Sequence, residues 1–162
     1  MSTQNLSEFD FDSLPSAEGM RFGIVVSEWN KEITEALYQG AVKVLLECGC
    51  KEKNIFRENV PGSFELPAGA LFIAEYKKPD AVICLGCVIQ GETRHFEFIC
   101  SAVSQGILNL SFQYKKPFIF GVLTTDTLEQ ARERAGGKHG NKGIEAAVAA
   151  VKMVNLQKAM GG

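Results

Sequence analysis

The sequence lacks any long apolar run and carries little excess charge of either sign. None of its 162 residues falls in a stretch resembling a transmembrane helix, which needs about 20 consecutive apolar residues. The formal net charge of −2 gives no electrostatic reason to expect nucleic acid or an anionic membrane surface as a partner. We therefore expect neither partner, and any bound anion must be held by a local site.

The first 20 residues also lack the basic and apolar regions of a signal peptide. They are polar and contain four acidic residues. The five cysteines are an odd number, which argues against a disulfide framework in a chain without a secretion signal. Together these features predict a cytoplasmic protein with reduced thiols.

Two of the cysteines, Cys84 and Cys87, have the CxxC spacing of metal and redox sites. They lie in an apolar run, residues 81–89, that is typical of a buried strand, whereas a redox CxxC normally opens a helix. Neither Cys48 and Cys50 nor the two histidines supply a second ligand pair at zinc-site spacing. We therefore predict buried, inert thiols and no metal site.

Short apolar runs alternate with helical periodicity from Arg21 onward. Asn30 is predicted to cap the first helix and Gly49 to end it. Residues 136–141 are predicted to form a glycine-rich loop. The pattern predicts strands over residues 21–27, 53–59, 81–90 and 118–123, and further helices over residues 64–76, 96–113, 128–135 and 144–156.

Strands alternating with helices predict an α/β fold: a three-layer sandwich with a four-stranded parallel sheet. Residues 21–162 show no internal repeat and no second domain boundary, and residues 1–20 read as an extended N-terminal arm. In such sheets ligands bind outside the carboxyl ends of the strands. The site is therefore expected after each strand, at residues 27–30, 60–65, 88–95 and 123–126.

The first two strand ends offer an aromatic ring and a polar turn. Trp29 is the only tryptophan and is suited to stacking on a flat heteroaromatic ring, although packing on the next helix is favoured by residue type alone. Gly62 and Ser63 would expose backbone N–H groups at a helix start. Glu65 either complements the dipole of that helix, which is favoured, or accepts hydrogen bonds from ligand hydroxyls.

The third strand end, Gly91-Glu-Thr-Arg-His95, is the most informative segment. Backbone N–H groups and the Thr93 hydroxyl are suited to a phosphate, and His95 to proton transfer near neutral pH. The alternative, equally weighted, is a polar loop whose histidine caps the next helix.

A local basic segment runs from Arg132 to Lys142 and contains four Arg or Lys residues. It indicates an anion such as phosphate, although the sequence has no GxxxxGK[ST] phosphate loop. For Arg132 the preferred interpretation is a solvated charged face.

Taken together, these segments closely resemble the 6,7-dimethyl-8-ribityllumazine synthase family. The resemblance runs from about residue 21 to the C-terminus and keeps the order and spacing of every segment, which makes it far more specific than any single motif. The matching segments are Trp29-Asn30, Val60-Pro-Gly-Ser-Phe-Glu-Leu66, residues 80–96, Phe120-Gly-Val-Leu-Thr-Thr125, Glu129-Gln130 and residues 134–143.

The resemblance implies a flavodoxin-like fold and an enzyme. The reaction would condense 5-amino-6-(D-ribitylamino)uracil with 3,4-dihydroxy-2-butanone 4-phosphate, releasing phosphate and water without a metal or organic cofactor. Such an enzyme would act mainly by holding two reactive partners together.

The resemblance also assigns roles to individual residues. His95 would transfer protons, and Ser63, where the family often has alanine, would add a hydrogen bond to the ligand. For the pyrimidine substrate, Trp29 would stack on the ring, Ser63, Phe64 and Glu65 would hold the ribityl chain, and Val88 and Ile89 would offer backbone groups. For the other substrate, Gly91, Glu92 and Thr93 would cradle the phosphate with Arg134, and Lys142 would lie nearby. Phe120 would come from a neighbouring subunit and close the ring pocket.

The family resemblance finally implies a homo-oligomer with active sites between adjacent subunits. The expected unit is a pentamer, with twelve pentamers in an icosahedral shell that can enclose riboflavin synthase. Residues 1–20 would then add a strand to a neighbour's sheet. Two alternatives are a non-catalytic module that binds a flavin or ribityl ligand and an inactive shell protein. The presence of both His95 and Arg134 favours the enzyme.

Overall fold

A computed structural model describes residues 9–10 and 13–161 of the chain. No helix within that part is long and apolar enough to cross a membrane. Short 3₁₀ turns cover Glu52–Asn54 and Ser63–Glu65. In chain order the elements are β1 (Phe22–Ser27), α1 (Lys31–Glu47), β2 (Ile55–Val60), α2 (Leu66–Lys77), β3 (Ala81–Ile89), α3 (His95–Tyr114), β4 (Phe118–Thr125), α4 (Leu128–Glu133), β5 (Ala135–Gly137), β6 (Gly140–Asn141) and α5 (Lys142–Ala159).

The first four strands form one parallel sheet in the order β2-β1-β3-β4. All six residues of β1 and the first seven of β3 are buried, since these two strands are central and covered on both faces. The more polar β2 and the strand β4 form the edges. This arrangement confirms the predicted α/β fold with a four-stranded parallel sheet.

Helices cover both faces of the sheet, because successive strand residues point to opposite sides. In β1, Ile24 and Val26 pack with α1 and α5, whereas Val25 packs with α2 and α3. The sheet thus separates two apolar cores and forms the middle of three layers. We refer to the two sides as the α1/α5 layer and the α2/α3 layer.

Helices α1 and α5 approach so closely that a glycine is required at their contact. A Cβ atom at Gly143 would lie 1.8 Å from the backbone oxygen of Leu37. Asn141 stabilises the same contact: its side-chain oxygen accepts from the Gly143 N–H at 2.8 Å, and its amide donates to the Ala36 carbonyl at 3.0 Å. One side chain therefore caps α5 and attaches it to α1.

Three local expectations were wrong. Asn30 does not cap α1 with its side chain: its backbone is left-handed (φ 57°), and its amide donates to the Cys87 carbonyl instead. The predicted loop over residues 136–141 contains the antiparallel hairpin of β5 and β6. His95, expected in a loop, is the first residue of α3.

The N-terminal segment packs partly against its own domain. Ala17 and Met20 are buried in the α1/α5 layer, and the Ala17 amide donates to the Cys48 carbonyl at 2.8 Å. Residues 1–8 and 11–12 lie outside the described residues. The division of the chain into an arm over residues 1–20 and a domain over residues 21–162 stays a prediction, as does strand addition to a neighbour.

Replacing Gly143 with alanine should destabilise the protein strongly. The Leu37 oxygen belongs to the backbone and cannot rotate away, so the helices must separate. We expect a loss of about 3 kcal/mol in the free energy of unfolding, net of about 1 kcal/mol gained from helix propensity. Urea unfolding measures the difference. Gly91→Ala is the matched control, because a Cβ there meets nothing within 4 Å. A loss below about 1 kcal/mol in Gly143→Ala would contradict the packing argument.

Candidate active site

The four parallel strands end at one edge of the sheet, and hydrogen bonds join their following loops. The Glu28 amide donates to the Val60 carbonyl at 2.8 Å, which ties the loop after β1 to the end of β2. The Asn30 side chain donates to the Cys87 carbonyl at 3.0 Å, and the backbone N–H of Gln90 donates to the Thr125 carbonyl at 2.8 Å. The loops after β1, β2, β3 and β4 therefore form one connected edge, where the sequence predicted the site.

At this edge Trp29 presents its indole ring to solvent. The side chain is 74% exposed, so this chain covers little of the ring. Its backbone amide is held by the Pro61 carbonyl at 3.3 Å. The ring therefore stands on a fixed backbone with a free face for stacking.

The turn after β2 combines a buried hydroxyl, an exposed ring and a carboxylate. Ser63 is buried, whereas Phe64 is 56% exposed. The Glu65 carboxylate accepts from the Gly62 N–H at 3.0 Å, which closes the turn ahead of α2. Glu65 thus has a structural role as well as any role in ligand binding.

The segment after β3 is exposed from Gly91 to His95 and leads directly into the 20-residue helix α3. The His95 amide donates weakly to the Thr93 hydroxyl at 3.4 Å, and Arg94 forms an exposed ion pair with Glu97 at 3.5 Å. Backbone N–H groups at the start of a long helix favour anions. Val88 and Ile89, both half-buried, end β3 just before this segment.

Arg134 and Lys142 converge on a carboxylate that the sequence analysis missed. Arg134 forms an ion pair with one oxygen of Glu145 at 2.8 Å, and Lys142 pairs with the other at 3.2 Å. Arg134 also donates to the His139 carbonyl. The Glu145 side chain is only 10% exposed, so both cations are oriented by a largely buried anion. The available signal was the spacing of Lys142 and Glu145, three residues apart on one helix.

Arg132, by contrast, lies on the surface as expected. It forms ion pairs with Glu32 at 2.9 Å and with Glu129 at 3.7 Å. The hydrogen bond from Arg132 lowers the pKa of the Glu32 carboxyl group.

A single chain does not bring all the predicted site residues together. Phe120 lies in the middle of β4, about 16 Å from the strand end at ~3.3 Å per residue, and packs in the α2/α3 layer. Within the described residues, no hydrogen bond or ion pair joins Arg134 or Lys142 to the segment after β3. Two cavities, of about 530 and 220 Å³, are lined entirely by residues outside the predicted set.

The cysteines match the structural interpretation. Cys84 and Cys87 are buried in β3, and burial raises the pKa of Cys84 to about 12 and that of Cys87 to about 11. Because thiolates are the reactive form, both thiols are inert near neutral pH, as predicted. Across residues 9–10 and 13–161, no three His, Cys, Asp or Glu side chains cluster as metal ligands.

Comparison with known proteins identifies the family. The model of the 6,7-dimethyl-8-ribityllumazine synthase family matches residues 19–158. The chain belongs to this family. A 6,7-dimethyl-8-ribityllumazine synthase of Parabacteroides distasonis is 59% identical over 153 residues, covering 94% of this chain and 96% of the relative. One of Cytophaga hutchinsonii is 62% identical over 151 residues, covering 93% and 94%, and one of Flavobacterium psychrophilum is 54% identical over 157 residues, covering 97% and 83%.

Family membership confirms the resemblance drawn from the motifs. Three residues to which the sequence analysis gave no role in the site lie beside the predicted ones. Asn30 connects the loop after β1 to β3, Glu145 pairs with Arg134 and Lys142, and Ser27 ends β1 with a buried hydroxyl. For Ser27 the signal was a polar residue ending a fully apolar strand.

Proposed function

We propose that the connected sheet edge, completed by a second copy of the chain, is where the enzyme forms 6,7-dimethyl-8-ribityllumazine. Lumazine synthase activity in riboflavin biosynthesis follows from membership in the family. The substrates are 5-amino-6-(D-ribitylamino)uracil and 3,4-dihydroxy-2-butanone 4-phosphate. The observation that carries the proposal is the joining of the loops after β1, β2 and β3, which places a ring, a polar turn and a helix start side by side.

The pyrimidine substrate is assigned to the loops after β1 and β2. The exposed ring of Trp29 stacks on the heterocycle. The ribityl hydroxyls bind at the turn of Ser63, Phe64 and Glu65. Val88 and Ile89 offer backbone groups to the edge of the heterocycle.

The phosphorylated substrate is assigned to the basic groups and the start of α3. Gly91, Glu92 and Thr93 supply N–H groups and a hydroxyl, and the helix favours an anion at this end. Arg134 supplies a fork-shaped cation, with Lys142 nearby. A guanidinium has five donors, and the contacts of Arg134 with Glu145 and His139 leave donors for phosphate oxygens.

His95 is assigned the proton transfers. Joining an amine to a ketone and losing water moves protons at each step, and so does eliminating phosphate. His95 stands exposed in the first turn of α3, next to the proposed phosphate cradle. The overall condensation has no net redox change, so acid–base chemistry and proximity suffice, and we assign neither a metal nor an organic cofactor.

A second copy of the chain supplies what a single chain lacks at the site. Phe120 lies on the edge strand β4. It is too far from the carboxyl end of this strand to close the ring pocket of its own chain. The α2/α3 layer carries several large exposed apolar side chains, which favours burial against another copy. They are Phe64, Phe72, Tyr76, Phe98, Leu108 and Phe112.

We propose a pentamer as the unit of assembly and twelve pentamers as an icosahedral shell, which can enclose riboflavin synthase. The five free cysteines favour the cytoplasm as its location, since thiols stay reduced there. Sedimentation separates the assemblies: a pentamer of 17.7 kDa chains has a mass of about 90 kDa and a full shell about 1.1 MDa.

Turnover is the direct test of the function. The purified chain, mixed with both substrates, should form lumazine well above the rate of the uncatalysed condensation, followed by absorbance and fluorescence. Product at only the uncatalysed rate, with tight ligand binding retained, would instead support a non-catalytic binding module or an inactive shell.

Replacing Arg134 with alanine should weaken binding of the phosphorylated substrate alone. Losing a charged hydrogen-bond donor costs about 1.5–3 kcal/mol, so we expect the KM for this substrate to rise roughly 10- to 100-fold. The KM for the pyrimidine should change less than about twofold. Arg132→Ala is the matched control, because Arg132 pairs with surface carboxylates. An equal rise in both KM values would remove Arg134 from the phosphate site.

Replacing His95 with alanine should slow turnover while leaving substrate binding intact. We expect kcat to fall by roughly 10- to 1,000-fold. General acid–base catalysis usually contributes ~10²–10⁴-fold, and we expect a smaller effect here because proximity supplies much of the rate. His139→Ala is the matched control, since His139 accepts from Arg134 through its backbone carbonyl, which the substitution keeps. A His95→Ala variant as fast as the wild type would exclude His95 from the mechanism.

A further inference from the structure

Two buried hydroxyl groups near the proposed ribityl site form no hydrogen bond within the chain. They are the Oγ atoms of Ser27, which is 0% exposed, and Ser63, which is 7% exposed. Within the described part of the chain the one other buried side-chain oxygen without a hydrogen bond belongs to Glu145, and its charge is balanced by the ion pair with Arg134. Unpaired buried hydroxyls are unfavourable, so finding two at one sheet edge requires an explanation.

Both hydroxyls lie in the α2/α3 layer next to Gly86, with Ser27 beside this glycine and Ser63 over it. Val25 packs in that layer, and strand alternation places Ser27, two residues later, on the same face. Val26 pairs with Leu85, so Ser27 lies beside Gly86 on the next strand, about 4.8 Å away. A Cβ atom on Gly86 would lie only 2.7 Å from the Ser63 Oγ, so this hydroxyl sits directly over the glycine.

Gly86 puts no side chain between the two hydroxyls, and the space directly over it is taken by the Ser63 Oγ and a methyl group of Leu66. The two hydroxyls do not bond directly to each other, and both are buried, so a small polar group that reaches both would satisfy them. Water fits this role, since it donates and accepts, as each hydroxyl does. An alanine at position 27 would fit the same strand position and would leave no buried hydroxyl that needs a hydrogen-bond partner.

We infer that Ser27 is a positioning residue for the ribityl chain, acting through one water held between its hydroxyl and that of Ser63. By accepting from or donating to this water, Ser27 fixes the direction in which the Ser63 hydroxyl points. Ser63 then presents its remaining hydrogen-bonding capacity to a ligand hydroxyl. The inference rests on the proposed placement of the ribityl chain at Ser63–Glu65, and it adds a residue that does not touch the ligand.

The test compares two ligands that differ only in the ribityl chain. These are 6,7-dimethyl-8-ribityllumazine and 6,7,8-trimethyllumazine, whose Kd values are measured by fluorescence titration on the assembled protein. Ser27→Ala should raise the Kd of the ribityl compound about three- to tenfold, the effect of one weakened hydrogen bond, and leave that of the trimethyl compound unchanged. In a Ser63→Ala background, Ser27→Ala should have no further effect, because the two residues act as a unit.

Thr34→Val is the matched control: Thr34 is 1% exposed and lines one cavity with Ser27, but it lies on α1 and not in the α2/α3 layer with Ser63. It should change neither Kd, even if the unfolding free energy changes. Three outcomes would overturn the inference: an unchanged Kd for the ribityl compound in Ser27→Ala, equal changes for both ligands, or additive effects of the two serine substitutions. If the wild-type protein bound both ligands equally, the ribityl placement itself would fail and the role of Ser27 with it. Turnover by that protein would still show that the enzyme function stands.

Discussion

Parallel pairing of the two fully buried central strands is the constraint on which the rest of the structure depends. Because β1 and β3 run side by side in the same direction, with β2 and β4 outside them, all four strands end at one edge. Hydrogen bonds then join the loops: they are donated by the backbone N–H groups of Glu28 and Gln90 and by the side chain of Asn30. The glycine contact between α1 and α5 packs the two helices of one layer closely against each other.

The edge by itself supplies only part of the proposed site. It provides a stacking ring, a polar turn and a helix start, but Phe120 projects from the middle of an edge strand and Arg134 is anchored through Glu145 to α5. Exposed aromatic side chains of α2 and α3 make burial against another copy favourable. Assembly and catalysis would therefore use the same surface, and loss of one would impair the other.

Much of the fold was readable from local patterns. The apolar run at residues 81–89 predicted a buried strand, which the structure confirms, and inert thiols, which the raised pKa of buried Cys84 and Cys87 supports. The errors fell at segment ends, where long-range contacts compete with local preference. Asn30 has the right chemistry for a cap, but a carbonyl 57 residues away takes its amide. Glu145 was missed in the sequence, because Arg134 comes close to it only through the fold.

By itself the sequence determined the alternation of strands and helices, the four positions at which a site could lie and the family, because periodicity and motif spacing are properties of neighbouring residues. Only the tertiary structure decided which of those positions are joined, that Glu145 orients two cations, and that the hydroxyls of Ser27 and Ser63 both lie next to Gly86. These contacts connect residues from different elements, and their distances depend on how the layers pack, which no local pattern encodes.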